Sequence, residues 1–272
     1  MSLSFVMAQS FSVNGLKYSV IEGKNEVSVS AGEGKLAKNL VIPTEVSFEG
    51  KSYLVTRIAD KGFYMRGEIK ELTLPNCLVY IGEKAFYMCN GIVDLILPHS
   101  VLTIGEEAFF MCKSLTTLSL SNSLQSIKER TFWNCSSLSK IKIPSGVKRI
   151  EREAFFSCSA LSSVEFADGI EFIGRLAFGS CSALMNLELP VSVAEVDDQA
   201  FWNCSSLLSF KCGEYIDRIG DSAFGQCSAL NKVFIPTKDV VMGKNVFEHC
   251  PSLVTYTKGG EVIKLIFTLE DI

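Results

Sequence analysis

Two consecutive stretches of the chain, IGEKAFYMCNGIVDLILPHSVLT (residues 81–103) and IGEEAFFMCKSLTTLSLSNSLQS (residues 104–126), have equal length and apolar residues at the same positions. Each contains 23 residues, and the pattern continues without insertion or deletion from about residue 55 to 258, which gives nine repeats. A fixed period of this size is typical of a solenoid, in which each repeat forms one coil and contacts only its neighbours. The repeat therefore decides the fold class before any single motif does.

Several columns of the repeat hold one residue type throughout. The cysteine column consists of Cys89, Cys112, Cys135, Cys158, Cys181, Cys204, Cys227 and Cys250. A phenylalanine column contains Phe63, Phe86, Phe109, Phe132, Phe155, Phe178, Phe201, Phe224 and Phe247. No single coil can bury these side chains alone, so we expect stacked coils to share one continuous apolar core.

Within one repeat, the alternation Leu95-x-Leu97 predicts a short half-buried strand, and Pro98 is placed to end it. Equivalent strands of successive coils would pair in parallel, ~4.8 Å apart. The segment IGEKAFYMC (residues 81–89) favours a turn or a short 3₁₀ stretch. The predicted fold is a solenoid of nine coils, with one parallel β-sheet and short turn or 3₁₀ segments on the other face.

The ends differ from the repeat. Val13-Asn14-Gly15-Leu16 predicts a hairpin, because both turn residues accept a positive φ, and a second hairpin is predicted to turn at Glu49-Gly50. Leu40-Val41-Ile42-Pro43 resembles a repeat strand, and EVIKLIFTL (residues 261–269) favours a closing strand. The predicted organisation is a signal-peptide remnant at 1–8, a β-rich N-terminal cap at 9–54, repeats at 55–258 and a C-terminal cap strand at 259–272.

Composition narrows the function. The net charge is −4, which gives no reason to expect nucleic-acid binding, and no apolar run approaches the ~18 residues of a spanning helix. The sequence contains no phosphate-binding loop, nucleophile elbow or zinc-protease motif. Cysteines 23 residues apart lack the close pairs that zinc sites use. We therefore expect neither catalysis nor a cofactor nor a metal.

The unit I-G-x-x-A-F-x-x-C-x-x-L-x-x-L-x-L-P, seen at Ile81–Pro98 and Ile173–Pro190, resembles the BspA-like leucine-rich repeat family, also called the Treponema pallidum type. The resemblance covers residues 55–258, and Phe11–Leu54 looks like the β-cap of Bacteroides members. It implies a leucine-rich repeat solenoid that is exported to a bacterial surface or secreted and that binds other macromolecules; some relatives are adhesins. Residues 2–8 resemble the end of a signal peptide, although no basic residue precedes them.

The cysteine column has two interpretations. Equivalent Cα atoms of adjacent coils lie ~5 Å apart, which is within disulfide range. We expect instead a ladder of buried free thiols, each acting as a small apolar side chain.

Two surfaces are candidate partner sites. The residue after the column phenylalanine is often aromatic, and we name this series the aromatic spine: Tyr64, Tyr87, Phe110, Trp133, Phe156 and Trp202. It is either a partner or self-association surface or a packed covering of one wall. The second surface is the outward side of the predicted strands, from Glu71 and Thr73 to Lys232 and Phe234, which favours a solvated face but is the usual ligand side of a solenoid.

These features favour a non-catalytic binding protein with a protein or glycan partner of unknown identity. The alternative is a structural or self-assembling module without a separate ligand. Nucleic acid is not an expected partner of either.

Overall fold

The computed structural model describes residues 9–265, and these form nine stacked coils of about 23 residues between two β-caps. Each coil contributes one strand of three or four residues, and every coil but the first also contributes one strand of two residues. The longer strands are β7 (Glu71–Thr73), β9 (Asp94–Ile96), β11 (Thr117–Ser119), β13 (Lys140–Ile143), β15 (Ser163–Phe166), β17 (Asn186–Glu188), β19 (Ser209–Lys211), β21 (Lys232–Ile235) and β23 (Thr255–Lys258). We call their array the broad ladder, and its outward side the broad face.

The two-residue strands form a second parallel array, the narrow ladder. They are β8 (Tyr80–Ile81), β10 (Thr103–Ile104), β12 (Ser126–Ile127), β14 (Arg149–Ile150), β16 (Phe172–Ile173), β18 (Glu195–Val196), β20 (Arg218–Ile219) and β22 (Val241–Met242). The solenoid predicted from the sequence is confirmed. The prediction of a single parallel sheet was wrong, because the coils form two parallel arrays of strands. Ile81 and its equivalents point inward and pair with the same residue of the next coil, as Ile150 does with Ile173, so a second line of strands forms.

The segment after each two-residue strand forms hydrogen-bonded turns, and the described residues contain neither α- nor 3₁₀-helix. The 3₁₀ alternative was therefore wrong. Each coil has two residues with a left-handed backbone four positions apart, such as Lys84 (φ 52°) and Met88 (φ 55°), and this conformation interrupts any helical run. Between them, Phe86 N–H donates to the Ala108 carbonyl of the next coil, at 2.7 Å, so the turns also bind neighbouring coils together.

The core is one continuous apolar column through the repeats. The phenylalanine column from Phe63 to Phe224 is fully buried, and neighbouring rings stack with centroids 5.2–5.5 Å apart. Burial of one such side chain contributes about 1.5–3 kcal/mol to folding. Repetition of this contact in every coil is the main stabilising feature of the solenoid.

The N-terminal cap comprises β1 (Ser10–Val13), β2 (Leu16–Val20), β3 (Glu26–Ala31), β4 (Asn39–Val41), β5 (Glu45–Phe48) and β6 (Lys51–Ile58). Both predicted hairpins are confirmed, with positive φ at Asn14 and Gly15 and at Glu49 and Gly50. The predicted repeat-like strand is also confirmed, because β4 pairs in parallel with β7. The cap merges into the solenoid through β6, whose last residues, Arg57 and Ile58, pair with β8 of the narrow ladder.

At the other end, β24 (Glu261–Lys264) pairs antiparallel with β23 and closes the broad ladder. This is the first part of the predicted closing strand, whereas residues 266–269 lie outside the described residues. The proposed signal-peptide remnant at 1–8 also lies outside them.

Candidate functional site

The aromatic spine is a stack of five rings on the turn side of the solenoid. Tyr64, Tyr87, Phe110, Trp133 and Phe156 follow one another with centroids 4.5–5.9 Å apart and ring planes within 19°. Tyr64, at one end, is 40% exposed, and the others are half-buried. Each internal ring therefore contacts a ring on both sides.

Trp202 is separated from this stack by Gly179. A Cβ added at Gly179 would lie 2.9 Å from Cδ2 of Phe156, and one added at Gly225 would lie 3.1 Å from Cδ1 of Trp202. Each aromatic side chain thus leans over the next coil, and the two glycines leave space for it. The stacking and the glycine gaps indicate that this wall is packed against itself.

The cysteine column has a specific contact. All ten cysteines are free thiols, and the eight of the column are buried. Each column thiol donates to the carbonyl oxygen of the phenylalanine one coil earlier, with Sγ···O distances of 3.0–3.3 Å, as from Cys89 to Phe63. A small apolar side chain with a weak donor suits this position, because the acceptor is buried.

Burial also makes these thiols unreactive. Removal from water raises the pKa of the Cys89 thiol to about 12 and that of Cys158 to about 12. A thiol is nucleophilic only as the thiolate, so at neutral pH the thiols of Cys89 and Cys158 stay protonated and inert. Their arrangement fits packing rather than chemistry.

The broad face presents a different kind of surface. Outward side chains of consecutive strands stand in register and form cross-strand pairs, such as Lys142 with Glu165 at 2.6 Å and Lys211 with Glu188 at 2.7 Å. These ion pairs are more than half exposed, so each contributes little to stability. Their charged groups are held in fixed positions on rigid strands.

Cavities open on this face near each end of the solenoid, and a further one between them is lined in part by Glu165, Glu188 and Lys211. The N-terminal cavity has a volume of about 520 Å³ and is lined by acidic Glu71 and Asp94 and by Ile96, which is 70% exposed. The C-terminal cavity has a volume of about 560 Å³ and is lined by residues of β17, β19, β21 and β23 together with Val262 of β24. Both volumes lie within the range of small-molecule sites, ~300–1,000 Å³.

The C-terminal cavity combines fixed polar groups with exposed apolar ones. One outward column runs Glu188, Lys211, Phe234, Thr257 and Val262 across five paired strands. Phe234 is 44% exposed and Val262 is 74% exposed. Beside this column, the Ser209 hydroxyl donates to the Asn186 amide oxygen at 2.7 Å.

Sequence reasoning placed Phe234 on the outward side of a strand but did not single it out, and it missed Val262 altogether. The signal for Phe234 was available, since it is the one aromatic residue among the sixteen outward positions of the strands from β7 to β21. Val262 enters the cavity only because β24 folds back beside β23, which no period predicts.

The part of the chain that the structure describes contains no group of three or more His, Cys, Asp or Glu side chains that could hold a metal ion. Within residues 9–265, no helix is long and apolar enough to span a bilayer.

A family model for the BspA type leucine rich repeat region matches residues 56–184 and 148–265, and so covers most of the chain. Solved structures with the same fold include a leucine-rich repeat protein from Bacteroides ovatus, which is 22% identical with a TM-score of 0.58 over 90% of this chain and 81% of that one. The chain is also similar to the Treponema pallidum leucine-rich repeat protein (22% identical, TM-score 0.47, 90% and 91% covered) and to a leucine rich cell surface protein from Faecalibacterium prausnitzii (21% identical, TM-score 0.46, 92% and 88% covered). No curated protein matches the chain.

Proposed function

The chain belongs to the family of BspA-type leucine-rich repeat proteins, and on that premise we propose that it is an exported, non-catalytic binding protein. Its broad face presents an extended surface to a protein or glycan partner, in the manner of an adhesin. The family is generally surface-associated and of the binding type. The adhesin-like role, the export and the choice of the broad face as the binding surface are our proposal.

The observation that carries this proposal is that the paired strands of the broad ladder present exposed apolar side chains to solvent. Strands β17, β19, β21 and β23 pair in register at the C-terminal end of the broad ladder, and β9 pairs with β11 near the N-terminal end. The backbone therefore sets the spacing of the outward positions within each of these groups. Apolar Ile96 and Phe234 stand exposed in cavities at the two ends of the face, although the core requires neither. Exposed apolar groups rimmed by polar ones are typical of interaction sites.

Direct binding tests this proposal. The purified protein is passed over surfaces carrying extracellular-matrix proteins or polysaccharides, and the bound partners are retested with Ile96→Lys and Phe234→Lys. Leu102→Lys is the matched control, because Leu102 is also half exposed but lies outside the broad face. We expect at least one broad-face variant to lose binding while the control keeps it; equal binding by all three would contradict the proposal.

The aromatic spine remains a second candidate, as a self-association surface. The observation in its favour is the continuity of the five-ring stack, which ends on the exposed ring of Tyr64. Sedimentation at rising protein concentration distinguishes the two functions. A monomer that binds a partner favours the binding protein, whereas assembly that Trp133→Ala abolishes, without any partner, favours the structural module.

A further inference from the structure

Phe234 occupies a position that the fold does not require. In β21, the core contacts come from the inward residues Val233 and Ile235, which are 5% and 0% exposed. Phe234 points away from the core and remains 44% exposed, in a column where the other coils place lysine, glutamate, serine, threonine or, at Ile96, isoleucine. An exposed phenyl ring on a strand offers a flat apolar platform with only two side-chain torsions to fix on binding.

The polar groups beside this platform are already fixed. The Lys211 ammonium lies 2.7 Å from Oε1 of Glu188, and the Ser209 hydroxyl lies 2.7 Å from Oδ1 of Asn186. These pairs leave further donor and acceptor capacity on the carboxylate, the amide and the ammonium. They form two parallel rows that each cross β17 and β19, which lie ~4.8 Å apart; the rows are two residues apart along each strand, or ~6.6 Å.

The charges around the cavity do not select strongly for an ionic ligand. Glu188 neutralises Lys211 within the same row, and Lys232 adds one more ammonium on the neighbouring column. A ligand beside Phe234 therefore meets one ion pair, one further ammonium and several neutral donors and acceptors, rather than a cluster of charges of one sign. A neutral molecule rich in hydroxyl groups matches this pattern, because each hydroxyl both donates and accepts.

An extended peptide matches it less well. A common way for an extended peptide to bind a sheet is to add a strand at an edge, where backbone groups are available. At this cavity the strands β17, β19, β21 and β23 are paired with each other, so their backbone groups are already used in the ladder. The cavity recognises its ligand with side chains only.

From these observations we propose that the C-terminal end of the broad face is a carbohydrate-binding site. A neutral sugar ring stacks its C–H face on Phe234, and its hydroxyl groups bond Glu188, Lys211 and Asn186. Thr257 and Val262 form the far wall of the cavity. The inference rests on the proposed function, because it names the partner class of the face proposed there.

The test uses the full chain and a panel of neutral polysaccharides and their oligosaccharide fragments, namely glucans, mannans and galactans. Binding is followed by titration calorimetry and by saturation-transfer NMR. We expect Phe234→Ala to weaken binding at least tenfold and Phe234→Trp to retain it. Glu188→Gln with Lys211→Met tests the polar row and is expected to weaken binding to a similar extent.

Leu102→Ala is the matched control, because it removes an exposed apolar group that lies outside the broad face. Unchanged thermal unfolding of every variant verifies that binding alone is altered. Sugar binding that survives Phe234→Ala overturns the site. If a matrix protein binds through Phe234 and no sugar does, the carbohydrate inference is wrong and the proposed function stands; if neither class binds, both are wrong.

Discussion

Trp133 and Phe234 are both partly exposed aromatic residues of the repeats, yet their surroundings differ. Trp133 lies between Phe110 and Phe156, with centroid distances of 4.5 and 5.9 Å. Phe234 has no stacked ring among residues 9–265, and polar side chains surround it. The rings of the spine recur in consecutive coils and therefore stack on each other. Phe234 departs from the repeat, so its ring remains available to a ligand.

The largest expected effect distinguishes the core column from the spine. Phe155→Ala removes a fully buried ring and leaves a cavity, so we expect a loss of about 3–5 kcal/mol in the free energy of unfolding. Phe156→Ala, one residue later, removes a half-buried ring and is expected to cost about 1–2 kcal/mol. Denaturant titration of both variants measures the difference, and equal losses would show that the spine is part of the core.

A pair of carboxylates sharpens the comparison between the two faces. Glu153, on the turn side, is 8% exposed and accepts hydrogen bonds from Arg130 at 2.6 Å and Arg152 at 2.9 Å. Burial alone would raise the pKa of Glu153, but the bonds from the two arginines outweigh it and hold this pKa below its usual value. We expect Glu153→Gln to cost about 1–2 kcal/mol at pH 7.

The lowered pKa of Glu153 determines how the stability of the protein depends on pH. The folded pKa is the lower one, so the stabilisation is fully present above the unfolded-state pKa, about 4.3, and is lost as the pH falls through the folded value. The wild type and Glu153→Gln should therefore converge in unfolding midpoint at acid pH. Glu188→Gln on the broad face, whose ion pair is exposed, should leave stability unchanged at either pH. A loss from Glu188→Gln as large as that from Glu153→Gln would contradict the contrast between the faces.

A smaller effect tests the packing of the spine. In Gly179→Ala, the new Cβ would lie 2.9 Å from Phe156, and we expect a cost of about 1 kcal/mol. Gly67→Ala is the control, since nothing lies within 4 Å of its Cβ position. Thermal unfolding should show that the cost of Gly179→Ala shrinks in a Phe156→Ala background; an unchanged cost would mean that Phe156 does not cover this glycine.

The period predicted most of the fold but little of the site. Columns of phenylalanine, cysteine and leucine predicted the solenoid, its length and its core, because buried positions recur once per coil. The narrow ladder was missed because a two-residue strand such as Arg149–Ile150 is too short to show alternation. The left-handed positions were missed because lysine, methionine and even Leu176 (φ 55°) occupy them instead of glycine.

The site was less predictable for a related reason. The residues of the site lie at positions that vary from coil to coil, so no repeated column in the sequence predicts them. Phe234 is the one aromatic residue in a mostly polar array, and Val262 reaches the cavity through the antiparallel pairing of the cap strand. Side-chain exposure, which the sequence does not give, was needed to separate the self-stacked spine from the open ring.

Hydroxyl-radical footprinting of the protein, with and without its bound partner, compares the two surfaces in one experiment. Radical attack oxidises aromatic side chains in proportion to their exposure, so Phe234 and Trp133 report on the broad face and the spine at the same time. The account predicts that the partner protects Phe234 while oxidation of Tyr64, Trp133 and Trp202 stays unchanged. Protection of the spine with Phe234 left open would contradict it.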